Sequence, residues 1–217
     1  MARRARIIIP GWPHHVTQRG NHRETVFFKD EDRNAYLNLL RRQFGFYDLS
    51  MMGYCLMSNH IHCVVIPPTM EALSSGVGRL HRDFSRLQNI RCSRVGHLWQ
   101  NRFYSCPVGF DRVWDVLAYV ELNPVRAHIV DGPSHWQWSS AQAHVSGIDE
   151  TGLLDMNLWR QHFDGSSWEK FLEAAKARKQ LQNAIRSATS AGRFWGSDEV
   201  AKQLEDQLGR PIRRKPK

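Results

Sequence analysis

His60 and His62 stand two residues apart in the run His60-Ile61-His62, and Tyr119 stands four residues ahead of Asn123. These types and spacings could do chemistry together. On an extended strand, side chains at i and i+2 share one face. The two imidazoles then lie side by side while Ile61 and Cys63 point the other way, and such a pair is half of a metal site. On a helix, positions i and i+4 share a face, so a phenol and an amide meet one turn apart. Two histidines and an amide oxygen can hold a divalent cation with positions open for phosphate oxygens. A phenol can attack phosphorus, release a 3′ hydroxyl and conserve the bond as a phosphotyrosine, so that strands are rejoined without ATP. Cationic groups are then needed against the developing charge, and Arg102 and Arg126 lie near the strand and the helix concerned.

Taken singly, each feature has a plainer reading. In a chain with 11 histidines a His-x-His run can arise by chance. A tyrosine on a helix is usually core packing with a satisfied hydroxyl. Asn123 precedes Pro124, and proline disfavours helical geometry at the residue before it, so Asn123 can cap a new turn. Two competitors also exist. Tyr104 is a second phenol, on an expected strand with no amide one helical turn away. Glu121 is a second candidate ligand, but two residues from Tyr119 puts it near the opposite helix face. Co-occurrence of the histidine pair, the phenol and the amide favours phosphodiester chemistry over separate structural roles.

The elements that must position these groups can be read from periodicity. Residues 14–19 are extended and end at the turn signal Gly20-Asn21. Asp30, Glu31 and Asp32 open a helix carrying Tyr36, Leu37, Leu40 and Phe44 on one face, with Gly45 as its expected stop. Residues 49–57 and 60–66 read as a hairpin about Ser58-Asn59, closed by Pro67-Pro68. A helix over 70–90 places Leu73, Val77, Leu80, Phe84 and Leu87 together. Residues 98–108 read as a further strand. Asp111 is the expected cap of a helix through Val113, Trp114, Leu117, Tyr119 and Val120. This order is the split βαβ pattern of a ferredoxin-like α+β sandwich, a fold that hosts RNA binders, metal binders and enzymes alike.

From about residue 133 the texture changes. Helices are expected near 167–186 and 197–208, the second capped by Ser197, before a basic arm over 210–217. The chain thus divides into residues 1–132, carrying the chemistry, and a helical C-terminal region, 133–217. At 41% hydrophobic and 24% charged residues it is globular in composition. Its 217 residues can bury a core without disulfides. None of the four cysteines forms a C-x-x-C pair, which argues against structural zinc and for buried, reduced thiols. The formal net charge of +9 suits a polyanion, either nucleic acid or an anionic membrane. No apolar run approaches the ~20 residues of a membrane span. Ile7 to Ile9, followed by Pro10-Gly11, is too short for a signal-peptide core, so a cytoplasmic protein is expected.

Four segments resemble a known family. Tyr54-Cys55-Leu56-Met57-Ser58-Asn59 ahead of His60-Ile61-His62 resembles the HUH strand of single-tyrosine transposases. Tyr119-Val120-Glu121-Leu122-Asn123-Pro124-Val125-Arg126-Ala127 is similar to their tyrosine-bearing helix. Trp99-Gln100-Asn101-Arg102-Phe103 and His15-Val16-Thr17-Gln18-Arg19-Gly20-Asn21 match as well. The branch most similar is that of the REP-associated tyrosine transposases, and the resemblance covers about residues 10–130. It implies a Mg2+ or Mn2+ site with His60 and His62 as ligands, Asn123 as the amide-type third ligand and Tyr119 as the nucleophile of a 5′-phosphotyrosine intermediate. Histidine ligands fit Mn2+ somewhat better than Mg2+. The implied substrate is single-stranded DNA with a hairpin and a short flanking sequence. Candidate DNA contacts are Arg19, Arg23, Arg102, Arg126, Arg213, Arg214 and Lys215. A monomer or homodimer associated with the nucleoid, with no obligate protein partner, is expected, and the branch favours a domesticated role at repetitive palindromes over mobility. The rival from another class is a non-catalytic nucleic-acid-binding module of the same fold. Such a module needs exposed aromatics on its sheet, where this strand offers His60, His62 and Val64. Replication and plasmid-relaxation initiators share the chemistry but carry helicase or oligomerisation regions that this chain lacks.

Overall fold

A computed structural model describes residues 6–213. The elements in order are β1 (His14–Arg19), α1 (Asp30–Phe46), β2 (Ser50–Leu56), β3 (His60–Ile66), α2 (Met70–Arg91), β4 (Tyr104–Pro107), α3 (Val113–Glu121), α4 (Asn123–Arg126), α5 (Ala141–Ser146), α6 (Asn157–Arg160), α7 (Gly165–Lys176), α8 (Lys179–Ala191) and α9 (Asp198–Leu208). The sheet runs β2-β3-β1-β4 with every pair antiparallel. That is the ferredoxin-like α+β arrangement expected from the element order.

Alternation decides which side chains face which layer. Val16, Tyr54, Leu56, Ile61, Cys63 and Val65 join Tyr36, Leu40 and Phe44 of α1 and Leu73, Val77, Leu80 and Phe84 of α2 in one core. Cys55 and Val64, on the opposite face, join Val116, Leu117 and Val120 of α3 and Trp168 and Leu172 of α7 in a second. Because Ile61 and Cys63 belong to the first core, period two turns His60 and His62 toward α3.

Local chemistry explains most element ends and several departures from the sequence reading. Asp32 accepts the N–H groups of Phe28 and Lys29 at the start of α1. Gly45 does not stop that helix, which runs to Phe46 and leaves through Asp48 at φ +51°. The strand expected over 98–108 is reduced to Tyr104–Pro107; upstream, Trp99 makes only an isolated bridge to Gly20. Arg112, not Asp111, occupies the cap of α3, and the Asp111 carboxylate instead accepts the N–H of Ser197 at 2.9 Å. That partner is 86 residues away, beyond any local rule. The helix expected over 167–186 is two helices. Gln182 Nε2 donates to the carbonyls of Ala175 and Lys176, and Arg178 reaches Asp115, so side chains support the break. Ser197 does cap α9, accepting from Val200 N. All four cysteines are free; Cys55, Cys63 and Cys106 are buried, whereas Cys92 is exposed.

The C-terminal helices pack onto the sheet domain. Trp195 N donates to Pro107 O and accepts at its own carbonyl from Gly109 N, at 2.9 and 2.7 Å, extending the β4 side. Ile7 and Ile9 share a third core with Phe194, Leu204 and Ile212.

Two core histidines make stability pH-dependent. His14 is fully buried; its Nε2 accepts the Ile9 N–H while Nδ1 faces Trp12 O. One donor and one acceptor require the neutral ring, and burial lowers its pKa to about 4 against the opposing Trp12 bond. His81, bonded to the Tyr36 hydroxyl, is lowered to about 3 by burial, then by the charge of Arg6. The unfolded chain protonates both near pH 6.5, so below that pH it binds more protons than the fold, and stability is lost from pH 6.5 downward. At pH 5 the loss is on the order of 2 kcal/mol for each ring. Urea midpoints measured at pH 7 and pH 5 should show it; an unchanged midpoint would contradict the neutral core histidines.

Candidate active site

Strand register gathers one row of side chains under α3. Thr17 pairs with His62 and Arg19 with His60 across β1 and β3. On β1, alternation places His15, Thr17 and Arg19 on the same face. Tyr119 descends from α3 and Arg186, Thr189 and Ser190 from α8, and together they enclose a cleft of about 460 Å³. His62 and Tyr119 both line this cleft and are both 6% exposed. Ring centroids are 5.1 Å apart for His60 and His62, 5.8 Å for His62 and Tyr119, and 5.7 Å for His15 and Tyr119.

The Tyr119 end is held by Arg126 and Asn123. The Arg126 Cζ lies 4.1 Å from the Tyr119 ring centroid, Nη1 donates to Tyr119 O, and Nη2 donates to Asn123 Oδ1, both at 2.8 Å. Asn123 Nδ2 donates to the carbonyls of Tyr119 and Val120. The asparagine thus closes the last turn of α3, while Leu122 takes the cap position of α4 and Pro124 lies in its first turn. Capping does not exhaust the amide: an amide oxygen has two lone pairs, and Arg126 uses one.

The histidines are neutral, the state a metal ligand needs. Burial lowers His60 to about 4, with the charges of Arg19, Arg186 and Arg126 adding to it. Burial carries His62 well below the usual range, assisted by His15, His60 and Arg126. His15 is lowered to about 3 by burial, then Arg126. His60 Nδ1 lies 2.6 Å from Asn59 Oδ1, and Asn59 Nδ2 donates to Arg23 O. The amide is oriented by its second bond, so His60 carries its proton on Nδ1 and keeps Nε2 bare. His62 Nδ1 is taken by His15 Nε2 at 2.8 Å, and His15 Nδ1 by Thr189 Oγ1, also at 2.8 Å.

Arg19, Arg23 and Arg186 line the cleft, and among the described residues no carboxylate does. The crowding is enough to lower the Arg19 pKa, through burial first and then Arg23 and Arg186. Glu121, the competing ligand, faces away. It is fully buried beyond α3, accepting from Ser140 Oγ and His144 Nδ1 at 2.5 Å and from Trp168 Nε1 at 2.9 Å. Tyr104, the competing nucleophile, does line the cleft, but from the exposed end of β4.

Of the other expected contacts, Arg102 lies elsewhere, in a cleft of about 640 Å³ with Arg6, Arg82, Trp99 and Phe103; Gln100 lines both clefts. Arg213 is held by Glu205, with Nη2 at 2.5 Å, and by Asp198. Arg214 and Lys215 lie outside the described residues. His15, Thr189 and Arg186 were not singled out by sequence. His15 could have been found by extending period two along β1; α8 carries no signal linking it to the sheet. Among the described residues no cluster of three His, Cys, Asp or Glu is placed to hold a metal. The donor set available for one is therefore His60, His62 and an amide oxygen. Two imidazole nitrogens and that oxygen suit a divalent cation that keeps positions for phosphate.

Comparison with known proteins gives a family and a fold. A family model described as transposase, IS200 like, matches residues 11–123, just over half of the chain. No curated protein matches it. A REP-associated tyrosine transposase solved bound to a REP hairpin is similar at 19% identity and a TM-score of 0.57, over 70% of this chain and 90% of that one. At that identity the likeness is one of fold. A transposase structure from Deinococcus radiodurans R1, called putative, gives 16% identity and a TM-score of 0.40 over 55% of this chain and 96% of that one.

Proposed function

The chain belongs to the IS200-like transposase family, and on that premise we propose that it cuts and rejoins single-stranded DNA beside a hairpin, with Tyr119 as the nucleophile. The observation that carries this reading is the Tyr119 ring 5.8 Å from that of His62 in a cleft lined by arginines and, among the described residues, by no carboxylate. Tyr119 Oη attacks the scissile phosphorus, the bond from phosphorus to the 3′ oxygen breaks, and the 5′ phosphate remains on the tyrosine. The phenol loses one proton and the leaving 3′ oxygen gains one, so the step is balanced and reversible. Arg126 holds the ring and puts positive charge against it. Arg19, Arg23 and Arg186 bind phosphate oxygens where negative charge grows. His60, His62 and Asn123 would hold Mg2+ or Mn2+, which when bound supplies Lewis acidity to those oxygens. Every group named comes from one chain, so each copy can carry a complete site.

Helices pack on both faces of the sheet, and among the described residues no open aromatic platform of the kind a stacking RNA-binding module uses is left. Among the described residues no helix is long and apolar enough to cross a membrane. The direct test is incubation of the chain and Mn2+ with end-labelled hairpin DNA carrying single-stranded flanks, resolved on a denaturing gel. A protein–DNA adduct that survives denaturation is expected, and its absence with every hairpin tried would reject the reading. Binding itself should weaken steeply with salt through counterion release. Replacing Arg19, Arg23 or Arg186 singly by Gln should each lower the slope of log affinity against log salt by about 1. Slopes identical to that of the native chain would remove those arginines from the DNA path.

A further inference from the structure

The hydrogen bonds behind His62 run in one direction only. Thr189 has one hydroxyl proton, and its Oγ1 lies 2.8 Å from Ile185 O, one turn back on α8. A carbonyl can only accept, so the proton points at Ile185. Toward His15 Nδ1, also at 2.8 Å, the hydroxyl therefore offers a lone pair, and His15 must carry its proton on Nδ1. Its Nε2 is then bare. The 2.8 Å contact between His15 Nε2 and His62 Nδ1 needs one proton, and only His62 can supply it. The ring centroids are 5.0 Å apart and the planes differ by 16°. With nitrogens 2.8 Å apart, the rings lie edge to edge in nearly one plane, the geometry of an in-plane N–H···N bond and not of a stack. The opposite assignment would leave Thr189 Oγ1 and Ile185 O 2.8 Å apart with no proton between them.

We infer that Thr189, acting through His15, is a positioning residue that fixes His62 as the Nδ1-protonated tautomer and so leaves its Nε2 bare for a divalent cation. Asn59 does the same for His60 from the turn between β2 and β3. The two imidazoles are thus set from opposite sides, one by a turn of the sheet and one by α8, which makes α8 part of the site. The consequence for the cation rests on the reading proposed above; the tautomer does not.

The metal-free full-length chain, labelled with 15N at histidine, tests the relay by long-range 1H–15N spectra near neutral pH. His15 and His62 should both be protonated on Nδ1. Thr189→Val keeps the shape and removes the lone pair. The pair should then invert, with His15 donating from Nε2 and His62 protonated on Nε2, closed to the cation. Mn2+ affinity, read by calorimetry or by electron paramagnetic resonance, should fall on the order of 10–100-fold, and Thr189→Ser should restore both readouts. A native chain with His62 protonated on Nε2 would overturn the inference, as would Thr189→Val binding Mn2+ within about twofold of native, against that expected loss. A native chain that shows both tautomers as stated yet binds no Mn2+ would support the relay and reject the metal reading.

Discussion

Tyr119→Phe is expected to abolish the covalent adduct and to lower cleavage on the order of 10⁴-fold or more, the scale of losing a nucleophile. The substitution removes one oxygen and keeps the ring. The Arg126 guanidinium 4.1 Å from the ring centroid and the imidazoles of His15 and His62 retain their neighbour. The Arg126 and Asn123 bonds to the backbone of α3 do not involve the side chain of residue 119. The fold and hairpin binding should therefore survive, checked by circular dichroism and by a gel shift at fixed salt. Tyr104 is the control because it lines the same cleft. It sits 42% exposed at the start of β4, opposite Thr17, and among the described residues makes no ring contact with either histidine. Tyr104→Phe should leave the adduct intact. Mass spectrometry of the adduct peptide decides between them: nucleotide attached to Tyr104, or normal cleavage by Tyr119→Phe, would reverse the assignment.

How far the site could be read in advance depended on how local its causes are. The hairpin from 50 to 66 follows from alternation and a Ser-Asn turn, and with it the side-by-side placement of His60 and His62. The expectation that Glu121 points away from Tyr119 follows from helical geometry alone, and its buried bonds to Ser140, His144 and Trp168 agree. Asn123 was legible as a cap, but not in its actual form. Its amide closes the end of α3 through the carbonyls of Tyr119 and Val120, because the helix breaks at Leu122 and does not run on to 123. What stayed hidden depends on contacts across long stretches of chain. Local preference makes Asp111 a helix cap, yet its carboxylate is satisfied by Ser197. Thr189 meets His15 across 174 residues. Arg213 belongs to a run of basic residues that suggests a DNA-binding arm, but Glu205 and Asp198 take its guanidinium. A charge count gives the sign of a surface, whereas pairing decides which charges are free to meet phosphate.

Removing either imidazole should stop cutting while leaving most of the DNA affinity. On the proposed reading the arginines of the cleft bind phosphate whether or not a cation is held, so gel shifts with His60→Ala or His62→Ala should stay near native. In the proposed reaction cleavage needs the Lewis acid, and with one of the two proposed nitrogen ligands gone the remaining donors are a single imidazole and an amide. The two variants should nevertheless differ in stability. His60 is half-buried and its Nδ1 is bonded to Asn59, so alanine there leaves groups that water can reach. His62 is buried and is the partner of His15 Nε2, itself 1% exposed. Alanine at 62 strands that nitrogen, at a cost of about 1–3 kcal/mol, and should lower the melting temperature where His60→Ala does not. Excess Mn2+ should recover part of the activity of His60→Ala, since its loss is one of affinity within an intact pocket, and less of His62→Ala. Cleavage by the native chain should cease in EDTA and return when Mn2+ is restored in excess. Full activity in excess EDTA would refute the metal site outright, and the histidine pair would then have to act through hydrogen bonding to the phosphate alone.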